Sequence, residues 1–358
     1  MNVSAGGASP FLPLVPPDET PVPPWCRAAL CVACVLSLLG SALLLGTYVA
    51  WPSLRTPARR LLASLAAADA LTSVAYLYGA LRQFHGDSWD CALQGAMSSV
   101  ANSASFFLTV AIALHLHVTI VRGDLRMAER MHVWLHVVSW LVPLVSTSLA
   151  MSLGHLGYDG SAVSVGWCWV RIDTSGALLW MLLTGKLWEL LAYTLLPVLY
   201  LHTACHIRRV RKDLSEYRSL LHSGGPHARG AAGGSGARGG VPAGGGGPGG
   251  DGKLVLIPLV FVALRVWSTV RFFLALTDSP ALHHPALVLL HGVGNSLQGT
   301  ANCALFVFCT PPVRARLFNA LCCRSRRPHS PAEPSPSHAS PPEPSPATLA
   351  HRSLAQPR

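Results

Sequence analysis

The chain has 358 residues, 51% of them hydrophobic and only 12% charged, with a formal net charge of +11. A soluble domain carries about 25% charged residues, so a water-soluble globule fits poorly. Long apolar stretches separate the basic clusters, which excludes the continuous basic face of a nucleic-acid binder. The ten cysteines, spread over spans and loops, make neither a small disulfide scaffold nor a metal-binding array.

Residues 1–25 are proline-rich and contain no Lys or Arg. They lack the basic start of a cleaved signal peptide and read as a short extracellular tail. Asn2-Val3-Ser4 fits the glycosylation sequon, with Asn2 as the acceptor. Seven apolar segments follow, near residues 27–51, 61–82, 91–121, 132–154, 177–206, 253–277 and 284–309, each about long enough to cross a bilayer as a helix. The third is the most uniform: from Ala92 to Val121 it holds no Lys, Arg, Asp or Glu. The expected architecture is an all-α membrane protein, a seven-transmembrane helix bundle over 26–310.

Charge fixes the expected orientation. One set of connectors holds only Arg27, Arg82 and Arg171 as basic residues. The other holds Arg55, Arg59, Arg60, Arg122, Arg126, Arg130, Arg208, Arg209, Arg211, Lys212 and Arg218, and the tail adds Arg314, Arg316, Arg324, Arg326 and Arg327. The positive-inside rule then places the N-terminus outside and the C-terminus in the cytoplasm. The connector at 222–252 is Gly-rich and reads as a flexible cytoplasmic loop. Residues 311–322 read as an amphipathic juxtamembrane helix, and 323–358 as a disordered Pro/Ser-rich cytoplasmic tail. Cys322 and Cys323 sit where palmitoylation occurs, with plain free thiols the alternative.

Cys91 and Cys168 are the best-placed pair for a disulfide, one at the mouth of the third span and one in the second outer loop. Charged residues at bilayer depth are costly and turn toward partners or water inside the bundle. Asp69, Lys186, Glu189, Arg265 and Arg271 are of this kind. Lys186 and Glu189, three apart, share a helix face and can neutralise each other. The alternative pairs Glu189 with Arg265 or with a ligand. Asp69 is expected to hold a cation or to join an internal polar network with Arg265, Asn295 and Asn302. The pairs His132/His136 and His202/His206 have helical spacing but no adjacent carboxylate, so no metal site is expected. No nucleophile elbow, phosphate-binding loop or paired-carboxylate motif is present, and neither a catalytic residue nor a cofactor is expected. Pro143, Pro197 and Pro258 fall inside the fourth, fifth and sixth spans, where each favours a kink. Pro258 is the one to associate with movement, a static bend being the alternative.

Several words then carry a resemblance: Gly166-Trp-Cys-Trp169, Lys253-Leu-Val-Leu-Ile-Pro-Leu259, Gly294-Asn-Ser-Leu-Gln-Gly299 and Leu114-His-Leu-His117. The chain resembles a seven-helix G-protein-coupled receptor of the secretin/adhesion-like and cyclic-AMP-receptor-like branch. The rhodopsin-type Asp-Arg-Tyr and Asn-Pro-x-x-Tyr words are missing. The resemblance implies a multi-pass plasma-membrane receptor that transmits an extracellular signal to a heterotrimeric G protein by outward movement of the sixth helix. It implies Arg122, Arg208, Arg209, Arg211, Lys212, Lys253 and Arg314 as G-protein contacts, with attraction to membrane lipids as their other use. Depth and polarity imply a ligand near Trp89, Gln94, Trp167, Trp169, Lys186, Glu189, Trp267, Arg271 and Gln298. A small seven-span transporter is the alternative, although no repeated halves support it, and a histidine-based membrane hydrolase is a weaker third.

Overall fold

The computed structural model describes residues 21–161, 163–223 and 250–323. The sequon at Asn2, most of the Gly-rich connector and the tail beyond Cys323 lie outside the described residues. Two units, Met1–Arg314 and Ala315–Arg358, divide the chain. The first holds the helix bundle. The described part of the second is the later part of the helix Pro311–Cys323.

Local chemistry starts the helices where they begin. Proline occupies the first position of α1 (Pro24–Ala50) and α2 (Pro57–Arg82), where its missing N–H has no helical partner to lose. The Thr56 hydroxyl accepts from Arg59 N–H at the start of α2. Ser88 accepts from Cys91 N–H at the start of α3 (Trp89–His117), and Asp124 from Met127 N–H at the start of α4 (Leu125–Ser152). A π-turn, Val118–Arg122, extends α3 and ends at Gly123, whose φ of 64° is left-handed.

A two-residue hairpin follows α4: β1 (Leu156–Gly157) pairs antiparallel with β2 (Trp169–Val170). Short α5 (Ala177–Met181) runs through a π-turn at Leu182–Lys186 into α6 (Leu187–Ser223). The turn disrupts regular pairing, and two nearby carbonyls find other donors: the Trp188 indole donates to Leu183 O (2.7 Å) and the Ser103 hydroxyl to Thr184 O (2.7 Å). α7 (Gly250–Leu276) contains Pro258.

Six helices among the described residues are long and apolar enough to cross a membrane, the fifth being α5–α6 read as one. The seventh expected span is two helices, α8 (Pro285–Ser296) and α9 (Gln298–Cys309), parted at Leu297. At this break Gly299 N–H donates to the Ser37 hydroxyl of α1 (2.9 Å). The approach is close because Gly40 of α1 faces Gly299: a Cβ on Gly40 would stand 2.9 Å from Gly299 O. Bulky apolar side chains such as Leu141, Leu144 and Val145 of α4 remain exposed, as the lipid-facing side of a bundle requires. The chain is therefore the seven-transmembrane bundle expected from its hydropathy.

Candidate functional site

The loop between β1 and β2 closes one end of the bundle. The disulfide Cys91–Cys168 ties it to the first turn of α3. Gln94, one turn further along α3, uses both ends of its amide: Oε1 accepts from Cys168 N–H (2.8 Å) and Nε2 donates to Ala75 O of α2 (3.1 Å). Glycine lets the loop lie flush. A Cβ on Gly79 would meet Trp167 at 2.9 Å, and one on Gly95 would meet Cys168 O at 3.1 Å. Trp167 stacks on Tyr76 with centroids 4.0 Å apart and turns its edge to His291.

The loop is held from α7 as well. The buried Arg271 donates to Ser164 O (2.8 Å), Ser161 O (3.0 Å) and Leu282 O (3.4 Å), and its Nη1 lies 3.0 Å from His291 Nδ1. From the loop's own side, buried Asp159 accepts from Ser161 N–H (3.1 Å), Val163 N–H (3.2 Å) and Ser164 N–H (2.8 Å). Burial pushes the Asp159 carboxyl up, opposed by these hydrogen bonds and by the Arg271 charge.

Beneath the loop lies a small polar cavity of about 40 Å³, lined by Tyr76, Ser99, Asn102, Trp167, Glu189 and Asn295 among others. That space suits two or three water molecules, whereas a drug-sized ligand occupies roughly 300–1,000 Å³. Asn295 Oδ1 and Ser99 Oγ are buried there without a protein partner, so water is the fitting occupant.

Six side chains among the buried residues carry formal charge: Asp69, Asp159, Lys186, Glu189, Arg265 and Arg271. They fall into three opposed pairs. Lys186 Nζ lies 2.7 Å from Glu189 Oε2 and 2.9 Å from Ser268 Oγ, while Tyr193 and Ser268 hydroxyls donate to Glu189 Oε1, each at 2.7 Å. Arg265 reaches Asp69 through a relay: Arg265 Nε to Gln298 (3.4 Å), Gln298 to Asn302 (3.2 Å), and Asn302 Nδ2 to Asp69 Oδ2 (2.7 Å). Ser105 also donates to Asp69 (2.9 Å). The Arg265 guanidinium donates to Asn102 and lies over the Phe106 ring, 4.4 Å from its centroid. Arg271 and Asp159 form the third pair through the loop backbone. Each buried charge thus has an opposite partner or relay, the condition under which such groups are tolerated.

The expected ligand residues separate into four groups. Trp167, Trp169, Lys186 and Glu189 line the cavity. Gln94 and Arg271 are engaged in holding the loop, and Gln298 belongs to the deeper Asp69–Arg265 relay. Trp89 is 78% exposed at the head of α3 and Trp267 is half-buried; neither lines the cavity. Glu189 pairs with Lys186, not with Arg265. Asp69 bonds to Asn302, while Asn295 sits apart at the cavity wall. Residues that no sequence pattern singles out complete the site: Tyr76, Asn102, Ser105, Asp159, Tyr193, Ser268 and His291.

At the opposite end, Arg122 is exposed and its Nη1 lies 4.0 Å from Met127 Sδ. His117 Nδ1 is 3.1 Å from Thr203 Oγ1, which brings the end of α3 beside α6. Arg208, Arg209, Arg211 and Lys212 are exposed further along α6, and Arg314 is exposed after α9. Lys253 lies in α7, and Cys322 and Cys323 end the helix Pro311–Cys323; the side chains of these three lie outside the described ones. No cluster of three metal-ligating side chains occurs among the described residues.

A family profile described as 7 transmembrane receptor (rhodopsin family) matches residues 40–243. The chain belongs to this family of seven-transmembrane receptors. It is similar to proteins named G-protein coupled receptor 157. The mouse protein is 51% identical over 320 residues, covering 89% of this chain and 92% of the relative. The human protein is 51% identical over 304 residues, covering 85% and 86%. The rat protein is 50% identical over 314 residues, covering 87% and 91%. The matched description is the rhodopsin one, whereas the sequence words resemble the secretin-like and cyclic-AMP-receptor-like branch. Function and location follow from the family: a multi-pass plasma-membrane receptor that signals through G proteins. The transporter reading is not supported.

Proposed function

We propose that the disulfide end faces outside, that a signal there shifts the loop between β1 and β2, and that α7 carries the shift to a heterotrimeric G protein at the Arg122 end. The observation that carries this reading is Arg271. One side chain of α7 holds two loop carbonyls and contacts His291 of α8. A loop displacement of about 1 Å takes these contacts beyond hydrogen-bond range, so loop and helix positions are coupled. A ligand acts here by binding one arrangement of loop and helix better than the other. Pro258, buried in α7, removes one helix hydrogen bond and offers the bend about which its far end moves.

Arg122, Arg208, Arg209, Arg211, Lys212, Lys253 and Arg314 are the proposed G-protein contacts. Basic side chains at the end of α3 and along α6 present a surface suited to an acidic partner. The same charges also suit anionic headgroups of membrane lipids. The test is a panel of G-protein dissociation assays in cells, run on the parent chain and on Arg122→Ala. Dissociation of at least one G-protein class, weakened by Arg122→Ala at equal surface expression, is the expected result. No dissociation of any class from well-expressed receptor would count against this route of signalling.

A further inference from the structure

A second cavity, of about 280 Å³, lies at the disulfide end. Three separate segments build it: Val22 and Arg27 from the start of α1, Gln83, Phe84 and His85 from the end of α2, and Tyr158, Ser161 and Gly166 from the loop. It has seven times the volume of the polar cavity described above. Two of its lining residues, Gln83 (φ 54°) and Ser161 (φ 56°), are non-glycine residues in left-handed backbone, out of three such residues among those described. Gln83 is the left-handed cap that ends α2, and Ser161 turns the loop above it.

Among the described residues the charge lining this cavity has one sign, with no Asp or Glu. Among the described residues the Arg27 guanidinium makes no ion pair or hydrogen bond. Two nearby carboxylates among the described residues are committed elsewhere: Asp87 pairs with Arg171 (3.2 Å) and accepts Tyr158 N–H (2.8 Å), and Asp159 is buried against its own loop. His85 adds an exposed imidazole, while Phe84, Tyr158 and Val22 supply apolar wall. An unpaired guanidinium beside aromatic surface suits a carboxylate attached to an apolar body.

We infer that this outer cavity is a binding site for a small organic anion, a carboxylate with an aromatic or aliphatic body, with Arg27 as its charge partner. The inference deepens the receptor reading and rests on it for one point only, that this end faces outside. It also sits on the proposed signal path, because the Ser161 carbonyl is held by Arg271 (3.0 Å).

The test uses Val22→Cys as a reporter in intact cells, with Pro21→Cys as a second should the first fail to reach the surface. Two membrane-impermeant thiol reagents of similar size are compared, the anionic 2-sulfonatoethyl and the cationic 2-trimethylammonioethyl methanethiosulfonate, with the parent chain as background. The anionic reagent is expected to react faster, and Arg27→Gln to lower the anion-to-cation rate ratio about tenfold, since clefts of one charge sign concentrate counter-ions by at least that factor. Arg27→Lys should retain most of the preference. Millimolar phenylacetate should slow the reporter reaction, and phenethylammonium should not. A rate ratio unchanged by Arg27→Gln, or equal protection by the two compounds, would overturn the site. Anion selectivity together with unaltered basal G-protein dissociation after labelling would uphold the site and instead count against the loop-to-α7 route.

Discussion

Arg271 and Asp159 grip the same two residues from opposite sides. Ser161 and Ser164 each give their N–H to the Asp159 carboxylate and their C=O to the Arg271 guanidinium. The loop backbone thereby becomes the bridge between two buried polar groups, the carboxyl of Asp159 in the loop and the guanidinium of Arg271 on α7.

Removing the α7 half of this grip should unseat the loop. Arg271→Gln takes its donors from three buried carbonyls, Ser161 O, Ser164 O and Leu282 O, at about 1–3 kcal/mol for each left unpaired. The predicted consequence is access to the cavity below. A Ser99→Cys reporter, buried at the cavity wall in the parent, should react with an impermeant thiol reagent several-fold faster in the Arg271→Gln background. Equal rates would show that the disulfide and Gln94 hold the loop without α7.

The Lys186–Glu189 pair predicts a pattern of three variants. Both groups are buried, so Lys186→Met or Glu189→Gln alone leaves an uncompensated charge and should cost about 3–5 kcal/mol. Removing both at once should cost less than either single change. Thermal unfolding of the purified receptor measures this, and a double variant as unstable as the sum of the singles would indicate that Ser268 and Tyr193, rather than charge balance, set the stability.

The spans and two of the three charge pairs are legible in the sequence for different reasons, whereas Asp159, the partner of Arg271, is not. Hydropathy marks a membrane helix whatever its neighbours, and Lys186 and Glu189 lie three apart on one helix. Asp69 and Asn302 were open to pairing because a buried acid needs donors and few polar side chains lie at its depth. No motif marks Asn102 and Ser105, although Ser98, Asn102, Ser105 and Thr109 follow helical spacing inside the charge-free span and form a polar face. Arg271 was expected near a ligand, yet its partners are loop carbonyls, and no residue type announces where a backbone carbonyl will point. Trp89 shows the limit of reasoning from depth: it stands at the right level, but at the first position of α3 it turns outward. The seventh span breaks at Leu297 where Gly294 and Gly299 bring neighbouring helices close, a tertiary cause that hydropathy does not register.

Loop anchorage from α3 is predicted to be shared between a covalent and a polar tether. Cys91→Ser should reduce surface delivery or signalling. Gln94→Leu, close in size, leaves Cys168 N–H without its partner and takes a second donor from the helical carbonyl of Ala75, and should lower thermal stability by about 1–3 kcal/mol. Surface labelling and thermal unfolding report the two effects. Normal surface delivery and signalling by Cys91→Ser would remove the pinning role of the disulfide.

The last prediction concerns acidity at the loop. The Ser164 hydroxyl has one proton and two acceptors in range, Asp159 Oδ1 at 2.5 Å and Trp167 O at 2.7 Å. Both contacts are satisfied together when Asp159 itself carries a proton and donates to Ser164 Oγ, which then donates to Trp167 O. Burial raises the Asp159 carboxyl in the same direction. For an acid whose folded value lies above its unfolded one, the folded state binds more protons between the two values, so stability falls as pH rises through that window. The contribution is fully present below the unfolded value and is lost once pH exceeds the raised one. Mild acidification should therefore tighten the loop. Arg171 and Asp173 provide the contrast: the Arg171 hydrogen bond holds the exposed Asp173 carboxyl below its ordinary range, so that pair stays charged throughout. The measurement is the thermal midpoint of the purified receptor from pH 7.5 to 5.0, compared with Asp159→Asn. The parent should gain on the variant as pH falls, since asparagine carries its donor at every pH. A difference between the two that is independent of pH, or one that shrinks on acidification, would show that Asp159 stays ionised in the folded loop.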